Sequence, residues 1–365
     1  MIRVLHIMGC SDAGGISSVV LNYYRHIDRT KIQFDIALTI PTVGQNGKAL
    51  QELGARIHFL PLKSEGLGAF REALAKLLTE GGYDAVHVHE SETCYVALAV
   101  AKKMGIRCRL AHSHTSSPYE GLKGEIRRLS GCVLNYHYAT RVIGCGQLAG
   151  ERVFGKYNMR RPKALVLPNA IDTRKFAFDP MIREEVRNEL GLEGKFVLGM
   201  VGRLCEEKNY PFALELAAKL RQERPECMLV IAGNGESRDM IEQKIRELDL
   251  ADHVMLLGRR ADVHRLYQAF DVFLLPSFHE GFPVAAVEAM ASGLPVLLSD
   301  RITRELSFGS AVNYLPLDKP EIWHSVLRNT ENAELQRTVR QEEPRKNGLD
   351  ICSAAKRLEE IYLNL

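Results

Sequence analysis

At 365 residues, 46% hydrophobic and 25% charged, the chain has the composition of ordinary globular material and the length of two domains of roughly 150 to 200 residues. Its N-terminal apolar run meets a Gly-rich turn after a few residues, which argues against a signal-peptide core or a membrane span there. The net charge of +3, with dispersed basic residues and no recognisable nucleic-acid motif, argues against a nucleic-acid partner.

In chain order, IRVLHIM, QFDIALTI, ARIHFLP, YDAVHVH, CRLAHSH, ATRVIGC and KALVLPN read as buried strands of a parallel sheet, being continuous apolar runs bounded by turn residues. SSVVLNYYRHI, FREALAKLLTEG and TCYVALAVAKKMG carry apolar residues at helical spacing and fill gaps between them. After a polar stretch at 172–183 the series restarts with KFVLGMVG, CMLVIAG, HVMLLG, DVFLLPS and LPVLLSD, separated by helices near 211–223, 237–248, 262–269 and 283–292. Two successive βα series predict an α/β chain of two doubly wound, Rossmann-like domains, 1–170 and 171–349, with a hinge near PNAID at 168–172 and a cleft between them. A final helix at about 350–365 is expected to pack back on the first domain.

The eight cysteines have no C-x-x-C pair and no regular spacing, the pattern of reduced thiols in a cytoplasmic protein. Charge divides unevenly. Residues 1–170 hold 22 Lys and Arg against 13 Asp and Glu, whereas 171–365 hold 26 against 32. A basic first half, including GLKGEIRRLSG at 121–131, suits an anionic partner such as a phospholipid surface or a lipid pyrophosphate; solvated surface charge is the plain alternative.

Ligands of open α/β sheets bind beyond the carboxyl ends of the strands, and five places there carry suggestive chemistry. Gly14 and Gly15, between the first strand and the first helix, let a phosphate approach backbone N–H groups, although no G-x-G-x-x-G fingerprint is present. His112 and His114 end the strand CRLAHSH; a cleft histidine can bond a sugar hydroxyl or the reacting centre, and His114, being farther out, is favoured. We expect the two rings on opposite sides of the strand, which argues against a shared metal. Arg203 and Lys208 in GRLCEEKN flank a turn into a helix beginning near Pro211, an arrangement that suits a diphosphate if Glu206 and Glu207 point outward. Gly258, with Arg259 beside it, ends another strand where backbone groups can read a base edge.

The fifth is HEGFPVAAVEAM, 279–290, which spaces Glu280 and Glu288 eight residues apart. With Pro283 at the first helical position, the two stand about 80° off alignment and about 12 Å apart along the axis. Hydrolytic carboxyl pairs stand about 5 to 9.5 Å apart, so this spacing fits an extended ligand gripped at both ends, with Gly281 and Phe282 offering N–H groups between.

Taken together these motifs resemble a known family. EGFPVAAVEAM is similar to the E-x7-E motif of the family 4 retaining glycosyltransferases, VGRLCEEKN to their VGRL-x3-KN loop, PNAIDTRKF to their hinge segment and GGISSVV to their N-terminal GG loop. HSH and the run of the first half look most like enzymes of exopolysaccharide or capsule assembly. The family's usual hinge Gly is Ala170 here, and Gly146 stands where Ser is common.

The resemblance implies a GT-B fold, a nucleotide-sugar donor on the second domain, an acceptor on the first, and no cofactor or metal. It implies that Glu280, with the backbone of Gly281 to Pro283, holds the donor sugar, Glu288 the ribose, and Arg203 and Lys208 the diphosphate. Gly15 would approach the diphosphate from the other domain, and His114, or otherwise His112, would lie near the reacting carbon. The expected reaction is a retaining transfer of a hexose-type sugar, from a UDP-sugar by family habit, to a glycan or lipid-linked acceptor at the inner membrane face. A nucleotide-sugar epimerase and a non-catalytic nucleotide-sugar-binding subunit are the alternatives.

Overall fold

The computed structural model describes residues 1–12, 15–115, 121–330 and 334–364, with the side chains of 334 and 335 left aside. The chain divides into two units, Met1–Ala170 with Ile351–Leu365, and Ile171–Asp350.

The first unit is built on seven strands: β1 (Ile2–Met8), β2 (Ile32–Leu38), β3 (Ile57–Phe59), β4 (Ala85–Val88), β5 (Cys108–Ser113), β6 (Arg141–Gly144) and β7 (Ala164–Val166). They are parallel and ordered β3-β2-β1-β4-β5-β6-β7. The order reverses between β1 and β4, so loops leaving these neighbours diverge to opposite sides and leave a crevice at their carboxyl ends. Their unbroken apolar runs follow from burial on both faces. One face packs under the helices Gly15–His26 and Ile351–Leu363, through Val19, Val20, Tyr24, Leu358 and Tyr362; the other packs under Leu67–Gly81 and Cys94–Lys103 through Phe70, Leu74, Leu78 and Leu98.

The second unit repeats the plan with β8 (Phe196–Val201), β9 (Cys227–Ala232), β10 (Val254–Leu256), β11 (Val272–Leu275), β12 (Val296–Ser299) and β13 (Val312–Leu315). Their order is β10-β9-β8-β11-β12-β13, with the reversal between β8 and β11. The polar stretch at 172–183 is not a plain linker. Asp172 and Asp179 cap the helices Thr173–Phe176 and Pro180–Leu190, accepting backbone N–H bonds at 3.2 and 2.9 Å. Arg183, buried, donates to the carbonyls of Gln268 and Phe270 and to Asp271, at 2.8, 2.9 and 2.6 Å.

Candidate functional site

In the second unit the strand order does the positioning. β8 and β11 are neighbours, so the loop after one, 202–209, lies beside the loop after the other, 276–283. Phe278 donates its N–H to the Glu207 carbonyl at 2.8 Å and pins them together. Lys208 Nζ then meets Glu280 Oε1 at 2.6 Å, and Ser277 Oγ donates to that same oxygen at 2.7 Å. Glu206 and Glu207 are exposed, as a diphosphate site on this loop requires. Asn209, at φ +53°, turns the chain into the helix Tyr210–Leu220, which has Pro211 in its first turn.

Glu288 stands in the helix Val284–Ala291, which starts one residue after Pro283 rather than at it. It accepts a 2.8 Å hydrogen bond from Tyr267 Oη. Burial pushes its carboxyl up to about 7, against the lowering effects of Tyr267 and Lys175. Glu280 and Glu288 therefore have separate partner sets, a lysine and a tyrosine, and do not share a proton as an acid/base pair. Phe282 is buried and Gly281 partly so.

Arg203 is largely exposed and pairs with Glu236 at 3.1 Å, so its guanidinium is turned toward the loop after β9. Glu236 ends the GNGE segment at 233–236, which sequence reasoning passed over. Gly233 has φ +157°, and a Cβ there would lie 1.8 Å from the Gly202 carbonyl oxygen; one on Gly235 would lie 2.3 Å from that of Leu204. The glycines thus let the two loops approach, and Gly202 and Leu204 donate their N–H groups to the Ala232 and Asn234 carbonyls, both at 3.0 Å. The signal was available, two glycines directly after a strand. Gly258, at φ +63°, accepts from the Gly233 N–H at 2.8 Å, and Arg259 is exposed beside it.

In the first unit, Gly15 opens the helix Gly15–His26 with φ +50°; Gly14 lies outside the described residues. His112 and His114 are not on opposite sides of the strand. Residues two apart share a face, and the two rings stand 4.0 Å apart. They belong to a cluster that sequence reasoning missed: His6 on β1, His87 and His89 at the end of β4, His112 and His114 at the end of β5. The same two-residue alternation in HVHE and HSH marks it. Among the described residues, His6, His87 and His89, and likewise His89, His112 and His114, bring ring nitrogens within 4.8 Å of one another, so the argument against a shared metal from strand geometry falls.

In the structure these nitrogens serve one another. His6 Nδ1 and His89 Nε2 are 3.0 Å apart, His89 Nδ1 and His114 Nε2 2.9 Å, and His87 Nε2 and His112 Nδ1 3.1 Å, while Tyr362 Oη lies 2.7 Å from His87 Nδ1. Burial lowers every ring, His6 to about 3 and His114 to about 4, the latter held up partly by Asn169. All are neutral at pH 7.

A neutral imidazole has one N–H, so the chain His6, His89, His114 donates in one sense throughout. Donation from His114 toward His6 would strand a buried N–H on His6 Nε2, which has no hydrogen-bond partner among the described residues. Donation the other way leaves only a lone pair there. It places the N–H on His114 Nδ1, which is likewise buried without a hydrogen-bond partner among the described residues. Each sense therefore leaves one buried N–H without a protein partner, at His6 Nε2 or at His114 Nδ1.

Two doubly wound units, each with polar side chains gathered at its switch point, define the GT-B class of transferases. Family models agree: "Glycosyltransferase Family 4" matches residues 13–175 and "Glycosyl transferases group 1" matches 182–307. The "Putative glycosyltransferase EpsF" of Bacillus subtilis (strain 168) is 35% identical over 89% of this chain and 86% of its own length. The Escherichia coli UDP-Gal:alpha-D-GlcNAc-diphosphoundecaprenol alpha-1,3-galactosyltransferase is 30% identical over 82% and 79%. A crystal structure of Anabaena Alr3699/HepE in complex with UDP-glucose superposes with a TM-score of 0.82 at 20% identity, covering both chains in full. The chain belongs to glycosyltransferase family 4.

Proposed function

We propose that this glycosyltransferase moves a hexose-type sugar from a UDP-sugar, with retention of anomeric configuration, to a lipid-linked or other glycan acceptor in exopolysaccharide assembly. The observation that carries the reading is the Lys208–Glu280–Ser277 contact across the β8 and β11 loops: an ammonium for a diphosphate beside a carboxylate for sugar hydroxyls. The names of the E. coli relative and of the HepE complex support UDP as the nucleotide and a lipid diphosphate as the acceptor's carrier.

In this reading Glu280 and the Gly281–Pro283 backbone orient the sugar, Glu288 accepts from the ribose hydroxyls, and Gly258 and Arg259 border the base. Arg203 and Lys208 bind the diphosphate. The acceptor oxygen bonds to the anomeric carbon on the face from which the phosphate departs. The leaving phosphate oxygen takes the acceptor's proton, and Lys208 and Arg203 stabilise its charge.

Catalysis is read as metal-independent. The eight cysteines are free thiols, supporting a cytoplasmic setting, and no helix among the described residues is long and apolar enough to cross a membrane. Calorimetry with UDP- and GDP-sugars tests the donor, since a ligand stabilises by RT ln(1 + [L]/Kd). Product NMR tests retention, and chelator treatment tests metal independence. Binding of no nucleotide sugar would sink the reading.

A further inference from the structure

The helix Gly121–Tyr138 presents its apolar side to solvent. Leu122, Ile126, Leu129 and Val133 are 78, 57, 55 and 66% exposed, and their spacing of four, three and four residues puts them in one stripe. The opposite side is fixed to the domain. Gly131 is buried, and a Cβ there would lie 2.7 Å from the Glu92 carbonyl. Asn135, also buried, accepts from the Tyr95 N–H at 2.6 Å and donates to the Ser91 and Glu92 carbonyls at 3.1 and 3.2 Å. At about 100° per residue, Gly131 lies half a revolution from Leu122. The helix is therefore clamped with its apolar stripe outward, uncovered by the described residues.

The surrounding charge selects a partner for that stripe. Residues 101–170 contain 13 Lys and Arg and 3 Asp and Glu, so this segment accounts for the basic character of the whole first domain. Lys123 and Arg127 are exposed on the helix itself. Lys102, at the end of the neighbouring helix Cys94–Lys103, is exposed and lies 5.6 Å from the Tyr138 ring centroid. Lys156, Arg160 and Arg161 are exposed on and after Lys156–Met159, beside an exposed Tyr157. Glu92 and Glu125 pair with Arg127 and Arg128 and offset only part of this. A second copy would bring like charges together; an anionic lipid surface complements them.

We propose that this helix lies flat in the interface of an anionic membrane, with the four apolar side chains among the acyl chains and the flanking cations at the headgroups. The inference deepens the reading of a lipid-linked acceptor, and rests on that reading only for why the domain needs a membrane. Flotation of the full-length protein with vesicles tests it, using phosphatidylglycerol with phosphatidylethanolamine against phosphatidylcholine alone.

The protein should float with the anionic vesicles and release at high salt, with affinity changing about fivefold per neutralised cation. L122Q/I126Q/L129Q/V133Q keeps good helix formers at exposed positions and should lose at least tenfold in vesicle affinity, with unchanged circular dichroism and unchanged calorimetric UDP binding. A wild-type protein left in the aqueous layer, or a quadruple variant that floats as well as wild type, overturns the proposal. So does a dimer in light scattering that the same variant abolishes without any vesicle binding. Failure to bind UDP would instead count against the donor reading and leave the vesicle result standing.

Discussion

Lys208 and Glu280 are 72 residues apart in sequence, yet Lys208 Nζ lies 2.6 Å from Glu280 Oε1 with both side chains mostly buried. The doubling-back of the chain at β8 and β11 creates the contact, so the pair reports on fold and function together. Lys208→Met leaves the Glu280 carboxylate, which still accepts from Ser277, without its cation in a poorly solvated place. We expect kcat/KM to fall about 10²- to 10³-fold, as for loss of one donor to a developing anion, and stability to fall by about 1–3 kcal/mol. Glu280→Gln in the same background should recover part of the stability and none of the activity. Denaturant midpoints and steady-state kinetics on the wild type and the two variants check this; equal recovery of both would reduce the pair to a structural tie.

Much of this site is legible in sequence because its chemistry is local. VGRLCEEKN and HEGFPVAAVEAM each follow a strand, and the turn residues predict where side chains leave it. What sequence could not supply is orientation. Nothing in the spacing of Arg203 indicates that it pairs with Glu236, since that contact depends on the order of β8 and β9 in the sheet. β13 was missed because it is short and only partly buried, with Asn313 exposed between Val312 and Tyr314 and only Leu315 fully inside, rather than a continuous apolar run. The histidine cluster was missed for another reason: β1, β4 and β5 bring it together, and only the two-residue alternation at the ends of β4 and β5 is visible along the chain.

Glu288 makes the donor affinity depend on pH. Its carboxyl is raised to about 7, and ribose hydroxyls donate best to the ionised form. Affinity for UDP should therefore weaken as pH falls below 7, by up to about tenfold per pH unit, a trend that Glu288→Gln should flatten at a uniformly lower affinity. Because the folded pKa lies above the unfolded one, ionisation of Glu288 costs stability as pH rises from about 4.5 to 7, and is relieved in the glutamine variant. Calorimetric titration between pH 5.5 and 8 reads the first effect; a flat wild-type profile would remove Glu288 from ribose binding.

The histidine cluster acts with the opposite sign. Its rings are held neutral below their ordinary pKa, so their contribution to stability is full above about pH 6.5 and is lost as pH falls toward 3 to 4. Each contributes about 1 kcal/mol per pH unit in that window. The urea midpoint should drop steeply from pH 6.5 to 5. His6→Phe, which retains an aromatic ring against Phe34, now 4.1 Å from the His6 ring, should reduce the slope by about one proton whatever its effect at pH 7. An unchanged slope would mean that His6 is protonated in the folded chain.

The two glycines that border the nucleotide end of the proposed site should respond differently to alanine. At Gly258 nothing lies within 4 Å of a new Cβ, so the cost is that of the left-handed backbone alone, about 1–2 kcal/mol, and donor affinity should hold. At Gly233 the Cβ meets the Gly202 carbonyl oxygen at 1.8 Å, and backbone cannot rotate aside as a side chain does. Gly233→Ala must displace the 202–204 segment, costing about 1–3 kcal/mol and, because Lys208 follows on the same loop, weakening UDP binding as well. Thermal melts with and without UDP separate the cases: the ligand-induced rise in Tm should survive in Gly258→Ala and shrink in Gly233→Ala. Equal rises in both would show that the β9 loop does not hold the diphosphate loop in register.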